Sequence, residues 1–210
     1  IMNELMQGGL GAGELGVVVA PAGIGKSWVL SAMGAYAISQ GLNVVHYTLE
    51  LNEAYVGLRY DSIFSGVESQ NLKYHKEEVM EKLFNLKGNL TIKYYPTRAC
   101  TVNTLSAHLK KVTTFGKKVD MVLVDYADIM RDVGKAQEMR HALGNIYEDL
   151  RGLAGELQVP IWTASQANRS ALDEDVIEAT KVAESYAKVM TADFVVSLSR
   201  KIEDKIGNTG

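Results

Sequence analysis

Lys26 and Ser27 close a short glycine-bearing turn, Ala20-Pro21-Ala22-Gly23-Ile24-Gly25, and that order of residue types suits the binding of phosphate. Gly23 and Gly25 can take backbone angles closed to other residues, so that successive N–H groups from Ala22 to Trp28 point into one concavity. A helix starting there adds the partial positive charge of its N-terminus. In this reading Lys26 reaches the terminal phosphates and the Ser27 hydroxyl holds Mg²⁺. The general motif begins with Gly, where this chain has Ala20. A glycine-rich turn with a surface lysine is the blander reading. It leaves unexplained why the turn stands between a buried strand and a helix.

Three further residues can complete such chemistry. Asp125 ends the apolar run Val122-Leu123-Val124, where a carboxylate commonly carries the water shell of Mg²⁺; a turn residue is the alternative. Glu50 ends another strand-like run and can orient or deprotonate an attacking water, or is merely an exposed acid at a strand end. Gln166 can hydrogen-bond the γ-phosphate or that water, or simply caps a loop.

The elements that must position these residues alternate along the chain. Val17 to Val19 reads as a strand buried on both faces, and Trp28 to Gln40 as a helix closed by Gly41. Val44 to Leu49 is a β-branched and aromatic strand, 53–65 has helical spacing, and Lys73 to Lys87 reads as an amphipathic helix with a solvated face. Leu90 to Tyr95 is a strand stopped by Pro96. Thr101 or Asn103 caps a helix to about Phe115, and Val119 to Val124 is the strand that delivers Asp125. A long helix over about Ala136 to Leu157 precedes Pro160 and the strand ending at Gln166. A polar amphipathic stretch, Asp173 to Lys188, leads to a last strand, Phe194 to Leu198, and then Arg200. This alternation predicts an α/β fold, a mostly parallel twisted sheet with helices on both faces, and ligands at the carboxyl ends of the strands.

Composition narrows the classes. The 210 residues suffice for one domain with a full core, and 47% apolar with 22% charged residues is ordinary for a globular protein. No apolar run approaches the roughly 18 residues of a membrane span, and the start of the chain carries no export signal. The single cysteine, Cys100, rules out an internal disulfide, reads as a core residue and fits a reducing cytoplasm. His46, His75, His108 and His141 lack ligand spacing, which argues against a histidine metal site. A net charge of −3 argues against coating nucleic acid by bulk electrostatics, though not against a few loops touching phosphates. Lys110, Lys111, Lys117 and Lys118 read as a solvated helix end in preference to a nucleic-acid patch.

Taken in order, the motifs resemble the ATPase domain of DnaB-type replicative helicases, within the RecA-like P-loop ATPases, and most of all the T-even-phage type. GGLGAGELGVVVAPAGIGKS is similar to the opening of that family, in which Ala begins the phosphate loop. YTLELNE resembles its catalytic-glutamate strand, VLVDYADIM its magnesium-aspartate strand, and ELQVPIWTASQANRS its sensor strand, which puts these roles on Glu50, Asp125 and Gln166. AESYAKVMTADFVVSLSR resembles the segment with a DNA-contacting loop, placing DNA contacts at Lys181, Glu184, Ser185 and Tyr186.

The resemblance implies a hexameric ring that hydrolyses ATP or another nucleoside triphosphate between subunits, with Mg²⁺, while moving along single-stranded DNA. It further implies primase and helicase-loader partners and a cytoplasmic, phage- or bacterium-encoded motor. Ala183 stands where the family usually has Arg, and Tyr186, where it usually has Gly, can stack on a base. The family's Lys-x-Arg-Asn-Gly hairpin does not occur. The expectation is a 1–210 ATPase domain cut from a longer chain, without the primase-interacting domain and that hairpin; otherwise Arg200 or Arg169 reaches the neighbouring nucleotide. Two other functions remain open, a RecA-like recombinase and a nucleotide-binding switch that does not translocate.

Overall fold

The computed structural model describes residues 9–134, 139–167 and 190–199. Six strands make one parallel sheet: β1 (Leu15–Ala20), β2 (Val44–Thr48), β3 (Leu90–Tyr94), β4 (Met121–Asp125), β5 (Ile161–Gln166) and β6 (Phe194–Ser197). Their order in the sheet is β3-β2-β4-β5-β1-β6. Between them run α1 (Lys26–Ser39), α2 (Glu53–Ser65), α3 (Lys76–Phe84), α4 (Val102–Thr114) and α5 (Met139–Leu157). The predicted alternation and parallel sheet are both present.

Both faces of the sheet are covered, and the sequence of β1 shows why. All six of its residues are buried. Val17 and Val19 join the core under α4 and α5, while Val18 points to the other core, under α1 and α2. A strand enclosed on both faces needs a continuous apolar run, since its side chains alternate between two dry layers. The same logic gives α5 its buried stripe of Leu143, Ile146, Tyr147, Leu150, Leu153 and Ala154. Helix α1 differs, for it presses small residues, among them Ser31, Gly34, Ala35 and Ala37, onto the sheet. A Cβ at Gly34 would stand 2.3 Å from the Tyr60 hydroxyl and 2.8 Å from Leu123 Cδ1, so only glycine permits this approach.

Several ends differ from expectation for local reasons. Helix α1 starts at Lys26, ahead of Trp28, because the phosphate loop runs straight into it and Val29 N–H bonds Gly25 O at 3.1 Å. Thr101, and not Asn103, caps α4, in a reciprocal box with Thr104. The amphipathic helix is only Lys76–Phe84, because Leu72–Tyr74 forms a separate 3₁₀ turn. Strand β4 begins after Asp120, whose carboxylate instead accepts from Asn43 N at 2.9 Å and Lys118 Nζ at 2.6 Å. That pairing, with Lys110–Glu156 at 2.9 Å, supports the solvated-lysine reading of this region. Cys100 is buried, as expected, and burial pushes its thiol up to about 12. No described helix is long and apolar enough to cross a membrane.

His46 is the odd residue of the core. It lies fully buried in β2, its Nδ1 2.9 Å from the Tyr60 hydroxyl. Burial, reinforced by the nearby Arg59 guanidinium, pushes its pKa down to about 3. The unfolded chain titrates near 6.5 and so takes up the proton first as pH falls; stability is therefore complete above pH 6.5 and declines toward pH 3. At most about 1.4 kcal/mol is lost per pH unit in that window. Urea denaturation at pH 7 and pH 5 should show the native protein losing about 2 kcal/mol more than a His46→Gln variant between the two. Equal losses would mean that His46 is solvated.

Candidate functional site

Four strands adjacent in the sheet, β2-β4-β5-β1, deliver the site. Thr48 lies opposite Asp125 across β2 and β4, and Gln166 lies opposite Ala20 across β5 and β1. Because the strands are parallel and in register, Glu50, Asp125, Gln166 and the loop after Ala20 emerge along one edge. Loop, Glu50 and Gln166 line a cavity of about 290 Å³, together with Trp28, Arg59 and Tyr126. Larger hollows of about 380 and 410 Å³ open at the other end of the sheet, beside Gly116, Lys117 and Lys118.

The phosphate loop has the backbone that its sequence predicts. Gly23 and Gly25 sit at φ 79° and 106°, and a Cβ at either would meet nothing within 4 Å. Backbone conformation, not space, therefore selects glycine here. Helix α1 has no side-chain N-cap, so its first-turn amides are directed to the cavity end without a competing acceptor from Gly25. Lys26 Nζ donates to Ala20 O at 3.2 Å and Pro21 O at 3.1 Å, which holds it at the loop. Burial lowers its pKa, opposed by the carboxylates of Asp125, Asp128 and Glu50.

Asp125 lies under the cavity floor, 2% exposed. Burial pushes its carboxyl above the usual range, while a hydrogen bond from Ser27 and the charges of Arg59 and Lys26 pull it back. Its Oδ1 is buried with no hydrogen-bond partner among the described residues. A hydroxyl beside an under-satisfied carboxylate is an oxygen donor set suited to Mg²⁺, which binds through one or two protein oxygens and substrate phosphates. No group of three or more His, Cys, Asp or Glu able to hold a metal occurs among the described residues.

Glu50 stands exposed where β2 gives way to α2. The turn is fixed beside it: Thr48 Oγ1 donates to Leu51 O at 2.6 Å and accepts from Leu51 N at 3.2 Å, and Asn52 caps α2 by accepting from Tyr55 N at 3.1 Å. Gln166 is exposed at the end of β5, its backbone N–H bonded to Asp128 Oδ2 at 3.0 Å. Lys26, Ser27, Glu50 and Gln166 thus border one space, and Ser27 links it to the buried Asp125. Lys181, Glu184, Ser185 and Tyr186, the expected DNA contacts, lie outside the described residues, as do Arg169 and Arg200.

Sequence reading missed two members of the site. Arg59 lines the cavity with its guanidinium 5.5 Å from the Trp28 ring centroid, and its Nη1 is buried without a partner among the described residues. Its signal was an arginine inside the buried helical stripe of Val56 and Tyr60. Asp128 is the other, an acid three residues beyond Asp125. A polar residue after a strand reads as a turn, and nothing local tells what it will bond.

The comparisons with known proteins agree with this geometry. A family model described as the DnaB-like helicase C terminal domain matches residues 2–206. A DnaB-like replicative helicase of Enterobacteria phage T4 is 28% identical over 212 residues, covering 94% of this chain and 44% of that protein. The replicative DNA helicase DnaB of Helicobacter pylori is 24% identical, over 80% of this chain and 35% of the relative. The chain thus spans less than half the length of these curated relatives. Among solved structures, one described as an ATPase domain superposes with a TM-score of 0.83 at 17% identity, over 100% of this chain and 77% of that one. A DnaB-like replicative helicase, described with its interactions with primase, gives 0.80 at 16%, over 96% and 50%. These likenesses establish a shared fold, and the family match over almost the whole chain establishes descent: this chain belongs to the DnaB-like helicase C-terminal domain family.

Proposed function

We propose that this chain is the ATP-hydrolysing motor domain of a replicative DNA helicase, turning over nucleotide with Mg²⁺ while moving along single-stranded DNA. The observation that carries the reading is the convergence of loop, acid and amide on one cavity. The phosphate loop, Ala22 to Trp28, cradles the β- and γ-phosphates through backbone N–H groups, and Lys26 neutralises their charge. Ser27 and Asp125 hold Mg²⁺, which supplies charge neutralisation on the phosphates when bound. Glu50 orients the attacking water and accepts its proton, standing in a fixed turn at the open side of the cavity. Gln166 reads the γ-phosphate from β5, the strand from which the chain runs on toward the proposed DNA loop at Lys181, Glu184, Ser185 and Tyr186.

The same reading makes the working unit a hexameric ring, with primase and a loader as partners and a cytoplasmic setting. The relatives named as replicative helicases support the helicase reading, and a solved structure described with its interactions with primase supports the primase partner. Six subunits that each touch a few phosphates bind DNA without a basic composition, so a chain of net charge −3 meets the requirement.

Hydrolysis by the full-length protein that carries this chain should rise strongly with single-stranded DNA. Lys26→Ala should abolish it. Glu50→Gln should keep nucleotide affinity while kcat falls by about 10²–10⁴-fold. Hydrolysis indifferent to DNA would replace the motor by a nucleotide switch, and a DNA-stimulated filament in place of a ring would favour a recombinase. A Glu50→Gln protein turning over at the unmutated rate would remove Glu50 from its role.

A further inference from the structure

Asp128 gathers three donors that the phosphate chemistry does not itself require. Its Oδ1 accepts from the Tyr147 hydroxyl at 2.7 Å. Its Oδ2 accepts from the Gln166 backbone N–H at 3.0 Å and the Ser165 hydroxyl at 3.2 Å, and that hydroxyl lies 3.5 Å from Oδ1. Tyr147, on α5, is fully buried, and Ser165 is buried in β5. One carboxylate therefore joins the turn after β4, the end of β5 and the middle of α5.

The turn that carries Asp128 is itself seated on β5. Thr163 Oγ1 donates to Val124 O at 2.8 Å and accepts from Ala127 N at 3.1 Å. Asp128 thus leaves a short 3₁₀ turn, Ala127–Ile129, whose start is fixed to the strand that ends in Gln166. Its charge also reaches the phosphate loop, since it acts on Lys26. All three donors point at it, and a carboxylate, with acceptors on both oxygens, serves them together. An amide would turn its own N–H groups toward at least one of them.

We propose that Asp128 is a positioning residue for Gln166: by holding the Gln166 backbone it sets the reach of the side-chain amide into the cavity, and through Tyr147 it locks that position to α5. The inference rests on the reading of Gln166 as the γ-phosphate sensor. Under it, Asp128 does not touch the nucleotide. It acts through the residue it holds, and once the Gln166 amide is gone, removing it should cost no more than about twofold further, through its charge on Lys26.

The test is a double-mutant cycle in the full-length protein, with ATP hydrolysis measured with and without single-stranded DNA. Asp128→Asn should lower the DNA-stimulated kcat about tenfold while KM stays within about twofold, the pattern of a lost transition-state interaction. Gln166→Ala should give a loss of similar size, and the double variant should stay within about twofold of Gln166→Ala alone. Losses that multiply would show that Asp128 acts elsewhere and would overturn the inference, as would a normal Asp128→Asn beside a slow Gln166→Ala. A Gln166→Ala protein with an unaltered response to DNA would instead remove the sensor reading, and the inference with it.

If Asp128→Asn unfolds, Tyr147→Phe removes a single hydroxyl and keeps the ring. It should reduce the stimulated kcat a few-fold at unchanged KM, again with no further loss in the Gln166→Ala background. An unchanged rate would overturn the proposal.

Discussion

The site is arranged around a charge in a dry place. Asp125 ends β4 almost without exposure, and burial alone would drive its carboxyl toward the neutral form. Ser27, Arg59 and Lys26 oppose that, Ser27 and Lys26 from the first turn of α1, where the phosphate loop runs into it, and Arg59 from the middle of α2. The loop, the helix that follows it and the helix across from it must therefore take their places together for Asp125 to be useful. An acid in water would be ionised without help but would bind a cation less strongly, because the surrounding dielectric would screen it.

Such an arrangement needs neighbours held to within fractions of an ångström, and the parallel sheet supplies them. Register across β2, β4, β5 and β1 fixes which residues leave the sheet side by side. Slippage by one residue would turn each apolar strand residue toward the opposite core, so burial on both faces protects the register. The cavity edge thus inherits its precision from the hydrophobic core. Gly34 and Gly16 show how tight that core is, because a Cβ at Gly16 would stand 2.4 Å from the Trp162 ring.

Much of this was legible in the sequence, and the reason differs from one part to another. The phosphate loop is readable because glycine at positive φ followed by Lys-Ser has few other uses, and Gly23 and Gly25 do adopt that backbone. Glu50, Asp125 and Gln166 were readable because each ends an apolar run, and a parallel sheet collects such ends on one edge. Arg59 and Asp128 were not, because their meaning lies in contacts between elements far apart in the chain. Asp128 meets Tyr147, nineteen residues on, and Gln166, thirty-eight on. Helix limits followed the same division: the start of α2 was legible in its own stretch, whereas β4 begins late because Asp120 is engaged by Asn43, far upstream.

The polar groups that violate the rules of a core are themselves grouped. His46 Nε2, Arg59 Nη1 and Asp125 Oδ1 are buried without hydrogen-bond partners among the described residues. They are neighbours electrostatically, since Arg59 acts on both His46 and Asp125. Each unmet group costs about 1–3 kcal/mol, a large share of the stability of any domain. Scattered through the core, such losses would read as poor packing. Collected where β2, α2 and β4 meet beside the phosphate loop, with Arg59 lining the cavity, they mark a local concentration of polar cost at the site end of the sheet. Burial, reinforced by Arg59, keeps His46 neutral, so it adds no second positive charge beside the arginine whose charge acts on Asp125.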